Sequence, residues 1–140
     1  MRKLSLVLCF AMLFACFSVV CHAGGDYAPC YDSVVSVSAE LEISNVGVAR
    51  VDYFYAGVNN VTKSVKITTV IQKSVAGSWE NVYNGEPNNE WIDNTTQLYY
   101  ENYHLLKLNS RGNYRSVVTF EITTFSGPKE TITCISEKTL

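Results

Sequence analysis

From residue 35 onward the side chains alternate with a period of two, and that period most limits what this chain can fold into. Val35, Val37, Ala39, Leu41 and Ile43 interleave with Ser36, Ser38, Glu40 and Glu42, the pattern of a strand with one dry and one wet face. Ser44-Asn45 with Gly47 marks a turn, after which Ala49, Val51, Tyr53 and Tyr55 alternate with Arg50 and Asp52. A third run, Val61 to Lys73, sets Val65, Ile67, Thr69 and Ile71 against Lys66, Thr68 and Gln72. Val75-Ala76-Gly77-Ser78 turns the chain into a short strand, Trp79 to Tyr83. Residues 84–96, with Gly85, Pro87 and many asparagines, read as a long loop. Strand pattern returns from Gln97 to Leu108, from Tyr114 to Phe125 and from Glu130 to Ser136.

Seven strands separated by turn signals, with no amphipathic helix, predict an all-β fold: an antiparallel sandwich of two sheets around one core. Threonine, valine, tyrosine and isoleucine dominate these runs, as suits a pleated, half-buried surface. Leu108, Gly112 and then Tyr114 opening the longest run match the tyrosine corner of immunoglobulin-like sandwiches, where the phenol bonds back to an upstream backbone group.

The first residues read as a secretory leader. Arg2 and Lys3 precede an uncharged run from Leu4 to Val20, and Cys21-His22-Ala23 offers a small-residue cleavage site before Gly24-Gly25. The expected organisation is a signal peptide, 1–23, and a single β-sandwich domain, 24–140, secreted to the extracellular side. A membrane anchor is the alternative reading, but the run sits at the short edge for a span. A lipoprotein anchored through Cys16 is a lesser one: Leu13-Phe14-Ala15-Cys16 imitates a lipobox, yet Phe14 is bulky and the residues after Cys16 stay apolar. No stable membrane span is expected in the mature chain.

Of the five cysteines, Cys9, Cys16 and Cys21 fall in the leader, and Cys30 and Cys134 remain. In an exported domain the simplest expectation is one disulfide between them, stapling the start of the domain to its end. Such a long closed loop is worth about 4 to 5 kcal/mol in the chain-entropy account. Losing Arg2 and Lys3 lowers the basic count from 11 to 9 against 13 acids, a net charge near −4. Nucleic acid is therefore not an expected partner, because its phosphates demand a basic stripe.

Around Lys66-Ile67 to Gln72-Lys73, Gly77-Ser78-Trp79 and Val82, then Gly112-Asn113-Tyr114-Arg115 and Val117-Val118-Thr119, the sequence resembles a group of short exported β-sandwich proteins of Gram-positive gut bacteria. These proteins have a fibronectin type III or immunoglobulin-like look. In them a strand leads to a Gly-x-x-Trp hairpin, and a later Gly-x-Tyr-Arg opens a long strand. The resemblance implies the sandwich, export and a packed Trp79; it implies no catalytic residue. The Cys30/Cys134 pair and the asparagine-rich loop depart from it.

Little here points to catalysis. The mature chain has one histidine, His104, read as a strand residue with a satisfied ring, and no Gly-x-Ser-x-Gly elbow. Too few histidines and cysteines remain for a zinc site. Carboxylates occur at Asp26, Asp32, Asp52, Glu86, Glu90 and Asp93, without a spacing that sets two of them at a glycosidase separation. The loop from Glu86 to Asn94 offers oxygens to calcium but lacks the spacing of a known calcium loop. Asn60-Val61-Thr62 and Asn94-Thr95-Thr96 are glycosylation sequons in a eukaryotic host. No cofactor is expected.

Binding is the better functional expectation. Nine tyrosines and two tryptophans exceed what one small core requires. Trp91 in the irregular loop, with Tyr99, Tyr100 and Tyr103 just beyond, is the candidate contact set for a protein or glycan partner. Trp91 equally reads as a lid over one end of the core. The expected role is a non-enzymatic extracellular binding module. The alternatives are a small secreted glycan-active hydrolase using loop carboxylates and a structural envelope-associated protein.

Overall fold

A computed structural model of the chain describes residues 32–140; the expected leader, Asp26 and Cys30 lie outside the described residues. Eight strands follow in order: β1 Val34–Ile43, β2 Val48–Gly57, β3 Thr62–Val75, β4 Ser78–Asn81, β5 Trp91–Thr95, β6 Tyr99–Lys107, β7 Asn113–Thr124 and β8 Glu130–Thr139. They form two sheets. One has the order β1-β2-β6; the other has the order β4-β3-β7-β8, with β5 also paired to β3. Every pairing is antiparallel. The first, second and sixth strands on one side, with the third, seventh and eighth on the other, make an immunoglobulin-like sandwich.

The alternation read from the sequence builds the core. Val37 and Leu41 of β1 and Ala49, Val51, Tyr53 and Tyr55 of β2 are buried from one sheet. Val65, Ile67 and Ile71 of β3, Val118, Phe120 and Ile122 of β7 and Ile132 and Cys134 of β8 meet them from the other. The tyrosine corner is present: buried Tyr114 donates from its hydroxyl to the Ser110 carbonyl at 2.6 Å. Trp79 is half-buried on β4, with the Arg115 guanidinium 4.4 Å over its ring.

Two expectations are corrected. Val35 is 66% exposed, because a bulge between Val34 and Ser36 shifts the register and turns Val34 inward instead. The expected loop 84–96 contains an eighth strand: after a short 3₁₀ turn, Pro87–Asn89, β5 pairs along β3 from Thr69↔Trp91 to Val65↔Thr95.

The two sides of the sandwich close differently. On one side β1 packs on β8, where the Leu41 amide donates to Ser136 Oγ at 3.1 Å and Ser33 Oγ donates to Glu130. On the other side β5 of the larger sheet faces β6 of the smaller one, and side chains alone bridge the gap. That seam holds the candidate site.

Candidate functional site

The seam starts from an odd strand. β5 sends Trp91 and Asp93 inward and leaves Ile92 and Asn94 exposed, so a carboxylate occupies a position where a sandwich strand ordinarily places a hydrocarbon. A charge drawn partly out of water needs partners. Asp93 Oδ2 accepts from the Tyr53 hydroxyl and from His104 Nε2, the latter at 2.8 Å. Asp93 Oδ1 accepts from the Tyr100 hydroxyl and from Asn102 Nδ2, each at 3.4 Å. Tyr53 belongs to β2, and Tyr100, Asn102 and His104 are three of the inward positions of β6. One carboxylate of the larger sheet is thus held by four side chains of the smaller.

The electrostatics follow from this geometry. Burial by itself would raise the Asp93 pKa, but the hydrogen bonds from Tyr53 and His104 and the attraction of His104 outweigh it and hold the carboxyl below its ordinary value. Burial, and then the Asp93 charge, push the Tyr53 phenol well above its ordinary value; Tyr100 is raised for the same two reasons. An ionised carboxylate only accepts, so His104 carries a proton on Nε2. The Tyr53 hydroxyl lies 3.2 Å from the same nitrogen because both donors converge on Oδ2. The imidazole stacks on Trp91, with centroids 4.8 Å apart and planes 3° from parallel, and against Tyr53 at 5.7 Å. Tyr53 in turn meets Phe120 edge-on at 6.4 Å, which ties the cluster to the core.

The outer face of β6 is a different surface. Tyr99, Tyr103 and Leu105 are 70%, 49% and 54% exposed. Phe54 of β2 meets Tyr99 edge-on at 5.4 Å. Arg50, paired to Asp52 at 2.6 Å, holds its guanidinium 4.3 Å from the centre of the Tyr103 ring. The four aromatics singled out in the sequence therefore divide: Trp91 and Tyr100 face the seam, while Tyr99 and Tyr103 face outward. Sequence reasoning missed Asp93 and Tyr53 as partners of His104, and Asn102 as a further donor to Asp93. The one available signal was an aspartate two residues after a tryptophan, an alternation that a polar inward residue disguises.

The remaining acids are scattered. Asp52 is in its ion pair, Glu86 is exposed before the 3₁₀ turn and Glu90 is half-buried after it. Among the described residues no group of three or more His, Cys, Asp or Glu side chains is placed to hold a metal ion, and no helix is long and apolar enough to cross a membrane. Cys134 is a buried thiol with no disulfide partner among the described residues, and burial raises its pKa. An open polar groove of about 620 Å³ lies on the outer face of the larger sheet, where Lys66 and Glu121 pair at 2.9 Å beside Asn94 and Lys129.

No protein-family model matches the chain, and no curated protein is significantly similar to it in sequence. Among solved structures it is similar to the CARDB domain of a Pyrococcus furiosus protein, crystallised in complex with di-metal ions. That likeness has a TM-score of 0.41 at 10% identity and covers 77% of this chain and 96% of that one.

Proposed function

We propose that this chain is an exported, non-enzymatic binding module that recognises a protein or glycan through the outer face of β2 and β6. The observation that carries the reading is the division of β6: Tyr99, Tyr103 and Leu105 stand in solvent while the alternate residues of the same strand are fixed to Asp93. Solvated aromatics on a strand whose other face is pinned offer contact area at little entropic cost. Arg50 and Asp52 add charge at the border of that surface.

The hydrolase alternative is less well supported. Asp93 already accepts from several donors and is held below its ordinary pKa, which suits an anchor more than a general acid. Export rests on the leader at 1–23, and a Cys30–Cys134 bridge remains part of the proposal. Non-reducing peptide mapping of secreted material tests both.

The functional test is a glycan array and a protein pull-down with the purified protein and with Tyr99→Ala/Tyr103→Ala. Binding that disappears in the double variant while the fold survives supports the reading. Binding that persists there, or turnover of a glycan or peptide that depends on Glu90 or Asp93, overturns it.

A further inference from the structure

We propose that the protein forms a two-fold symmetric dimer by pairing β6 with β6 of a second copy, joining the two small sheets into one. The inference stands on backbone geometry and does not rest on the binding reading. The Gly57 amide donates to the Leu98 carbonyl and the Leu108 amide to the Gly47 carbonyl, both at 2.8 Å, at the two ends of the β2–β6 register. Hydrogen-bonded pairs alternate along an antiparallel ladder. The even-numbered residues of β6 therefore spend their amides and carbonyls on β2, and those of Tyr99, Glu101, Tyr103, Leu105 and Lys107 point to the open edge.

This edge is unusual among the described residues. The edges of β1 and β8 pack against each other, and β4 and β5 are short. β6 is nine residues long, contains no proline or glycine and shows no register shift against β2. Exported sandwiches ordinarily blunt such an edge or pair it.

The side chains specify the occupant. With the two-fold axis at His104, the residues whose backbones are free pair as Glu101 with the partner's Lys107 and Tyr103 with the partner's Leu105, each twice by symmetry. All lie on the outer face and all are exposed. Directly opposed unlike charges and an aromatic beside a branched aliphatic are both favourable cross-strand pairs. The strand is its own antiparallel complement, which makes a second copy of this chain the fitting partner. The joined sheet leaves Tyr99 and Tyr103 facing solvent, so pairing doubles that face and does not hide it.

Sedimentation velocity on the purified protein, from nanomolar to high micromolar concentration, reads the equilibrium. A dimer is expected. Glu101→Lys and Lys107→Glu should each weaken it roughly tenfold, because each turns two attractive pairs repulsive, and the double exchange should restore it. Unchanged circular dichroism in these exposed-site variants shows that the domain itself is intact. The proposal is overturned by a monomer at every concentration, by a dimer indifferent to the single exchanges, by a double exchange that fails to restore pairing, or by a monomer that captures an extended peptide of another protein along β6.

Discussion

Asp93 of β5 accepts a hydrogen bond from His104 of β6 at 2.8 Å, and with that contact the far side of the sandwich is closed by a polar clasp. The opposite side is closed by strand packing, with the Leu41 amide bonded to Ser136 and Ser33 bonded to Glu130. The clasp does two things. It holds a five-residue strand against the core, and it fixes one face of β6 so that the other face is presented in one orientation.

Removing the carboxylate should therefore cost more than its exposure suggests. Asp93→Ala leaves Tyr53 and His104 without their acceptor in a site where their side chains are mostly shielded. The expected loss is about 2 to 3 kcal/mol, the penalty of abandoned donors to a charged partner. Asp93→Asn, which keeps one acceptor, should lose less. Urea titrations followed by tryptophan fluorescence measure both, and Trp91 over His104 is placed to report the change.

The same carboxylate sets an acid limit. Its pKa in the folded protein lies below its ordinary value of 3.8, so the folded state binds this proton less readily than the unfolded chain. The stabilisation is complete above the ordinary value and is lost as the pH falls through the lower, folded one. The urea midpoint should thus be insensitive to this group from neutrality to about pH 5 and fall below about pH 4. In Asp93→Asn that part of the slope should vanish; an equal acid slope in both proteins would show that other carboxylates dominate.

Most of the architecture was legible because hydrophobic burial follows a period of two. The buried faces of β2, β3 and β7 are those the alternation marks, and the Leu108, Gly112, Tyr114 spacing located the corner. β5 was hidden for a physical reason. Its inward residues are Trp91, a charged Asp93 and Thr95, so its alternation is of size and partners, and hydropathy does not record it. Val35 was misplaced because a bulge adds a residue without altering the pattern. His104 was legible as a satisfied strand residue; which side chains satisfy it depends on a contact between sheets that no local spacing encodes.

The two classes of aromatic should separate experimentally. Trp91→Ala removes a half-buried ring that stacks on His104 and packs on the core, and should cost about 2 kcal/mol, part of the full price of a core tryptophan. Tyr103→Ala, which removes an exposed ring stacked on the Arg50 guanidinium, should stay within about 0.5 kcal/mol of the parent while weakening binding. Equal destabilisation by the two would remove the distinction between clasp and contact surface.

Tyr114→Phe isolates the corner. The ring remains packed while the bond to the Ser110 carbonyl disappears, so the expected loss is about 1 to 1.5 kcal/mol. A drop of several degrees in Tm, with no change in the β-sheet circular dichroism, is the expected result.

The β3–β4 hairpin offers a gain. Its two connecting residues, Ala76 and Gly77, both have positive φ, 49° and 85°, as the turn that matches strand twist requires. Gly77 adopts this freely, but Ala76 pays the steric cost of the left-handed region with its Cβ and has no local hydrogen bond to compensate. Ala76→Asn supplies the Asn-Gly pair that such turns favour, at an exposed position where the larger side chain meets solvent. It should raise stability by about 0.5 to 1 kcal/mol, and Ala76→Gly should gain less because it also frees the unfolded chain. Thermal melts of the two variants beside the parent rank the three; a parent more stable than Ala76→Asn would mean that the turn relaxes out of the left-handed region in solution.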